Sequence, residues 1–164
     1  DSPFYFVCAG VHHRGEFSAE ELLEIDGAIQ GIADGSITNL HFDRSAKRIP
    51  NESDYNSLFS TFDIAWAAYE NFQGSSGTLS KAALFEKPCI ATRGECIGQR
   101  VERYRMGITI PEADPAAALA ALPHLEALRD SSGEQLHPLY SEYRLDHSRD
   151  RLDSILSALL DTVC

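Results

Sequence analysis

The sequence predicts an α/β domain in which parallel strands alternate with helices, and three observations carry that prediction. Short apolar runs recur at residues 4–9, 40–42, 64–69, 88–91 and 108–110. Segments of helical period lie between them, and strands alternating with helices at short intervals imply right-handed crossovers and a sheet covered on both faces. The composition, 43% hydrophobic and 24% charged over 164 residues, is that of one globular domain spanning 1–164. A chain of this length can bury roughly 70% of its unfolded surface without disulfide or metal staples.

Each element has its own warrant. Residues 4–9 are continuously apolar and end at Gly10, the pattern of a strand buried on both faces. Ser18 and Glu21 form a capping box, and Leu22, Ile25, Ile29 and Ile32 follow at helical spacing toward Gly35. A short strand at 40–42 leads to a basic loop, then Pro50 and Asn51 introduce a helix striped by Tyr55, Leu58, Phe59 and Phe62. The run 64–69 reads as a third buried strand with Trp66 in the core, and the next helix carries Leu79, Ala82 and Ala83. A strand at 88–91, a small helix marked by Ile97, Val101 and Tyr104, and a fifth strand at 108–110 complete the alternation. Asp114 and Pro115 place an N-cap and a first-position proline, and Pro123 limits the helix they start. Residues 129–135 read as a hinge, and 136–164 as one long terminal helix that can bend, amphipathic in its second half, with Tyr140 and Tyr143 as packing residues.

Charge narrows the function. Fourteen Lys and Arg against 25 Asp and Glu give a formal net charge of −11, which repels a phosphate backbone and argues against nucleic acid and anionic membranes as partners. Cys8, Cys89, Cys96 and Cys164 are scattered without zinc-site spacing, so they read as reduced thiols with no metal. No apolar run is long enough for a transmembrane segment, and no secretory signal is visible, so a cytoplasmic protein is expected. The chain opens at Asp1 just before a strand, which reads as a fragment of something longer.

In an open parallel sheet, ligands bind beyond the carboxyl ends of the strands, where the winding reverses. A five-stranded 2-1-3-4-5 order would put that crevice between the loops 10–17 and 70–77. In the second loop, Gly74 and Gly77 allow close backbone approach and Ser75 and Ser76 offer hydroxyls. The helix that follows aims free amides and its positive dipole end at the loop, which suits phosphate. Taken alone, Ser-Ser-Gly is more simply read as a capped helix start, and it is neither a Walker A loop nor a GxGxxG fingerprint.

The surroundings of that loop add a resemblance. Leu58, Phe62-Asp63-Ile64, Ser75-Ser76-Gly77-Thr78-Leu79, Lys81-Ala82-Ala83, Lys87-Pro88-Cys89-Ile90-Ala91, Gly94, Val101, Tyr104 and Gly107 follow in order. The succession resembles the nucleotide-sugar-binding C-terminal domain of GT-B glycosyltransferases and is most similar to their GT4-like, group 1 members. It extends from residue 4 to about residue 123, and the terminal helix resembles the one that in this fold returns toward the N-terminal domain.

The resemblance implies a Rossmann-like, doubly wound parallel sheet. It also implies a nucleoside-diphosphate sugar as donor substrate, no further cofactor, and an acceptor-binding N-terminal domain in the same protein. Ser75, Ser76, Gly77 and Thr78 would face phosphate. Relatives place two glutamates around this turn, for sugar and ribose; the matching positions here are Gln73 and Lys81, with Glu70 nearby. Glu86 stands where relatives carry Gly, at a helix end that favours a left-handed conformation. The family order is 3-2-1-4-5-6, and its first strand-helix unit, with a phosphate-neutralising Arg and Lys, has no counterpart in this sequence. The missing strand would lie centrally, between the first and third strands seen here. The isolated chain is therefore expected not to catalyse transfer, and its catalytic residues are unassigned.

Further candidates follow the other strands. His12, His13 and Arg14 come directly after the first, where a cationic cluster could neutralise phosphate, or else form a solvated turn. Arg44, Lys47 and Arg48 are the one dense basic group, in the loop where family members contact nucleotide; a charged surface loop is the alternative. Arg93, Gly94, Glu95 and Gly98 follow the fourth strand, where relatives approach the donor sugar and phosphate. Against the glycosyltransferase expectation stands a GT-B-like domain without transfer activity, serving as an interaction or scaffolding module. A response-regulator receiver requires clustered acids after the first strand, which Gly10-Val11-His12-His13 does not supply.

Overall fold

The structure, a computed structural model, describes residues 4–9, 15, 17–42, 48–130 and 138–163. The chain divides into two compact units, residues 1–55 and 56–164.

The first unit holds β1 (Phe6–Cys8), α1 (Ala19–Asp34), β2 (Leu40–Phe42) and the start of α2 (Glu52–Thr61). The expected capping box is present: the Ser18 amide donates to Glu21 Oε2 at 2.7 Å, and the Glu21 amide donates to Ser18 Oγ at 3.3 Å. Gly35 closes α1 with φ 80°, a conformation in which a Cβ is strained. β1 and β2 run parallel with Phe6 opposite Leu40 and Cys8 opposite Phe42. Val7 and Cys8 are exposed, so β1 is not the strand buried on both faces that its composition predicted. It pairs only with β2 among the described residues. Asn51 caps α2 by accepting from the Asp54 amide at 2.9 Å.

The second unit contains the end of α2, then β3 (Ala65–Ala67), α3 (Gly77–Leu84), β4 (Cys89–Thr92), α4 (Glu95–Arg103), β5 (Gly107–Ile110), α5 (Pro115–Asp130), α6 (Tyr140–Asp146) and α7 (Arg149–Val163). β3, β4 and β5 form a parallel sheet in that order, with Ala65 beside Cys89 and Cys89 beside Gly107. Leu79, Cys89, Ile90, Val101, Met106 and Leu125 are its fully buried centre. Burial pushes the Cys89 thiol up to about 12, so it behaves as a core group. Phe59 of α2 packs edge-on against Phe62 at 5.5 Å.

Close backbone approach explains two glycines. A Cβ at Gly107 would fall inside the Cys89 carbonyl oxygen of the neighbouring strand, and one at Gly98 would lie 2.5 Å from the Thr92 carbonyl oxygen. The small residue at 98 thus lets α4 settle against the end of β4.

The structure corrects four expectations. The five strands pair as a two-stranded and a three-stranded sheet, with no ladder joining β1 or β2 to β3 among the described residues. Trp66 is 50% exposed: strand alternation buries Ala65 and Ala67 on the opposite face, and among the described residues β3 has a partner on one side only. Pro123 lies inside α5 and does not end it; its ring removes the bond to the Leu119 carbonyl, but both residues are exposed, so water can serve that oxygen. The terminal segment is two helices. Ser148 separates them, its Oγ accepting from the Arg151 amide at 3.1 Å as the cap of α7. Among the described residues no helix is long and apolar enough to cross a membrane.

Candidate functional site

In the second unit the segments that follow β3, β4 and β5 converge at the carboxyl edge of the sheet. A cleft of about 300 Å³ opens there, lined by Asn71, Phe72 and Gln73 after β3, Arg93 and Gly94 after β4, and Glu112 after β5. The loops are braced across the cleft. The Asn71 amide donates to Glu112 Oε1 at 2.6 Å, and the Arg93 amide donates to the Ile110 carbonyl at 2.7 Å. Asn71 adopts φ 51°, in the left-handed region that asparagine tolerates better than most residues.

The start of α4 faces this cleft. Gly94 occupies its N-cap with φ 79° and offers no side chain to the first-turn amides. Those amides therefore keep their hydrogen-bonding capacity and the positive end of the helix dipole, and Arg93 adds a cation at the same rim. Glu95 and Glu112 oppose an anion, though one Glu112 oxygen is already engaged by Asn71.

The start of α3 is arranged differently. Ser76 is only 3% exposed; its Oγ accepts from the Leu79 amide at 3.2 Å and lies 3.0 Å from Tyr69 Oη. Tyr69 Oη also donates to Thr78 Oγ1 at 3.0 Å. The hydroxyl of Ser76 is thus consumed as an interior cap, and the Tyr69 phenol bonds to the two hydroxyls of the first turn. Ser75 and Gly77 are exposed, and a Cβ at Gly77 would meet nothing within 4 Å, so the backbone there is approachable from solvent.

The other sequence-selected residues scatter around these two helix starts. Gln73 lines the cleft, and Gly74 packs on Phe72, whose ring would lie 3.1 Å from a Cβ at 74. Lys81 is half-buried on α3, where its Nζ donates to Asn56 Oδ1 on α2. Glu70 lines a second cavity together with Trp66. Arg48 is exposed; His12, His13, Arg14, Arg44 and Lys47 lie outside the described residues. Sequence reasoning included Asn71 in the candidate loop 70–77 without singling it out, and gave no role to Tyr69, Thr92 or Glu112. Glu112 and Asn71 were within reach of the rule that strand-following loops carry function; the hydroxyl pairing of Tyr69 has no sequence signal.

The arrangement defines an α/β unit with parallel strands and a polar cleft at their carboxyl ends, where Arg93 faces the carboxylates of Glu95 and Glu112. No known family model, curated protein or solved structure matches this chain.

Proposed function

We propose that the chain is the donor-binding half of a GT-B-like glycosyltransferase, holding a nucleoside-diphosphate sugar at the carboxyl edge of β3 and β4. The observation that carries this reading is the cleft between Gln73 and the open start of α4, with Arg93 at its rim. Backbone amides fixed before the reaction would stabilise charge on the departing nucleoside diphosphate, with little reorganisation. The strand pairing supports the same reading. An order of 3-2-1-4-5-6 that lacks its first strand reduces to one pair and one triplet, and the described strands pair as β1-β2 and β3-β4-β5. On this reading the two parallel sheets belong to a Rossmann-like doubly wound fold. Every residue of α7 from 149 to 161 is exposed, including Leu152, Ile155, Leu156, Leu159 and Leu160 at helical spacing. An acceptor-binding domain of the same protein would cover that face.

Calorimetric titration with uridine, adenosine and guanosine diphosphate tests the proposal. Saturable binding of one of them is expected, weakened by Arg93→Ala, which removes the guanidinium at the rim of the cleft. Unperturbed amide spectra at millimolar nucleotide would overturn it.

A second reading, an inactive GT-B-like interaction module, is favoured by Gln73 and Lys81 in place of the glutamate pair and by the bond from Lys81 to Asn56. It predicts that a protein containing this chain binds a partner through α7 and releases no nucleoside diphosphate from sugar nucleotides.

A further inference from the structure

A second cavity of about 290 Å³ lies beside β3 and the start of α5, and the nucleotide reading makes no use of it. Its walls are Trp66 with Pro111, Pro115 and Ala118, and its polar groups include the carboxylates of Glu70 and Asp114. Trp66 is the one tryptophan of the chain. Its Nε1 donates to the Ala68 carbonyl at 3.1 Å, two residues farther along the same strand face. That bond holds the indole along the strand, so the ring is oriented in advance while half its surface stays open to solvent. Asp114 spends one oxygen on the Ala117 amide at 2.8 Å, which holds its carboxylate in place in the cavity lining.

The geometry points to a binding site for a small organic cation, a ligand bearing an ammonium group with apolar substituents. Every charged side chain lining the cavity is a carboxylate; no Lys, Arg or His is among them. An indole face attracts cations through its quadrupole, and two carboxylates add Coulombic attraction of the same sign. The prolines and Ala118 suit methyl or methylene groups around the nitrogen, and an anion such as a diphosphate is repelled. The site is independent of the glycosyltransferase reading: it shares Tyr69 and Thr92 with the nucleotide cleft but neither Arg93 nor the start of α4.

Choline and its uncharged isostere 3,3-dimethyl-1-butanol, titrated at constant ionic strength, separate charge from shape. Because Trp66 is the sole tryptophan, its emission reports this cavity directly. Choline is expected to change that emission saturably at millimolar concentration, and the neutral isostere to bind at least about tenfold more weakly. Glu70→Gln and Asp114→Asn should each weaken choline about threefold, since asparagine still caps α5. Trp66→Phe, read by saturation transfer to the choline methyl protons, should weaken it as well, with circular dichroism confirming the fold. Equal affinity for the two isosteres would overturn the proposal, as would no response up to about 100 mM or full choline affinity in the double variant that combines Glu70→Gln with Asp114→Asn. Nucleotide binding is measured separately, so failure here leaves the proposed function standing, and the reverse.

Discussion

Thr92 Oγ1 accepts a hydrogen bond from the Tyr69 amide at 2.8 Å and donates one to the Tyr69 carbonyl at 2.7 Å. A single side chain at the end of β4 thereby extends the pairing with β3 two residues past Ala67 and fixes where the β3–α3 loop departs. Thr92→Val keeps the shape and leaves two part-buried backbone groups without these partners, at a cost of about 1–3 kcal/mol. Thr92→Ser retains the oxygen and should lose much less. Urea unfolding midpoints of the two variants check this, and equal midpoints would show that the bonds are dispensable.

Gly107→Ala should be among the most damaging single changes in the second unit, because its Cβ would meet the backbone of Cys89, which cannot rotate away as a side chain can. Gly98→Ala meets the Thr92 carbonyl oxygen at 2.5 Å and should be costly for the same reason. Losses of about 3 kcal/mol or more are expected for the first and about 1–3 for the second. Thermal unfolding ranks them; a melting temperature for Gly107→Ala within experimental error of the parent would contradict the strand spacing described.

Much of the fold was legible because local signals are chemically redundant. The capping box at Ser18 and Glu21, the proline start of α5 and the buried stripe of Leu79, Ala82 and Ala83 each join propensity to periodicity. Strand pairing was less legible: the period of a strand says which face is apolar but not whether a neighbour exists, and Trp66 was misplaced for that reason. The site was half legible. The rule of strand-following loops finds Gln73 and Arg93, but whether a serine faces ligand or caps a helix depends on Tyr69, a tertiary partner that local sequence does not specify.

A pH dependence is expected from the corner between α6 and α7. His147 packs its ring on Tyr143 at 4.4 Å and on Tyr104 at 5.8 Å, and burial, reinforced by Arg100 and Arg103 against the opposing Asp146, lowers its pKa from 6.5. The folded state therefore favours the neutral ring. Its contribution is present above 6.5 and is lost as pH falls toward the depressed folded value. Tyr104 Oη, donating at 2.6 Å, is the main cause that holds Asp146 below 3.8, so that contribution is lost only under more acidic conditions. His147→Phe keeps the ring packing without the proton. Between about pH 7 and 5 its urea midpoint should fall less steeply than the parent's; parallel curves would remove His147 as the source.

Glu86 lies in the left-handed region at φ 54°, just beyond the C-terminal end of α3. It is held there by Arg144, which donates to Glu86 Oε1 at 3.1 and 3.2 Å and to the Ala83 carbonyl at 2.8 Å. Glycine would relieve about 1 kcal/mol of backbone strain. The partly exposed ion pair it removes is worth up to about 1 kcal/mol. Glu86→Gly should therefore be nearly neutral in the parent protein and stabilising by about 1 kcal/mol in an Arg144→Met background. A double-mutant cycle in urea measures this directly, and a neutral Gly change in both backgrounds would mean that the left-handed backbone carries no strain.

Tyr69 distinguishes the two helix starts as anion sites. Its phenol bonds Ser76 and Thr78 over the first turn of α3, whereas the first turn of α4 lacks any such side-chain cap. Tyr69→Phe removes the hydroxyl and keeps the ring, with an expected stability loss of about 1 kcal/mol. If a diphosphate lodges on α3, the freed turn should bind it more tightly in the variant; if it lodges on α4, affinity should be unchanged by Tyr69→Phe and reduced by Arg93→Ala. The uncapped start of α4 and its neighbouring guanidinium favour the second result. Calorimetry on the two variants decides it, and tighter binding by Tyr69→Phe together with indifference to Arg93→Ala would move the site to α3.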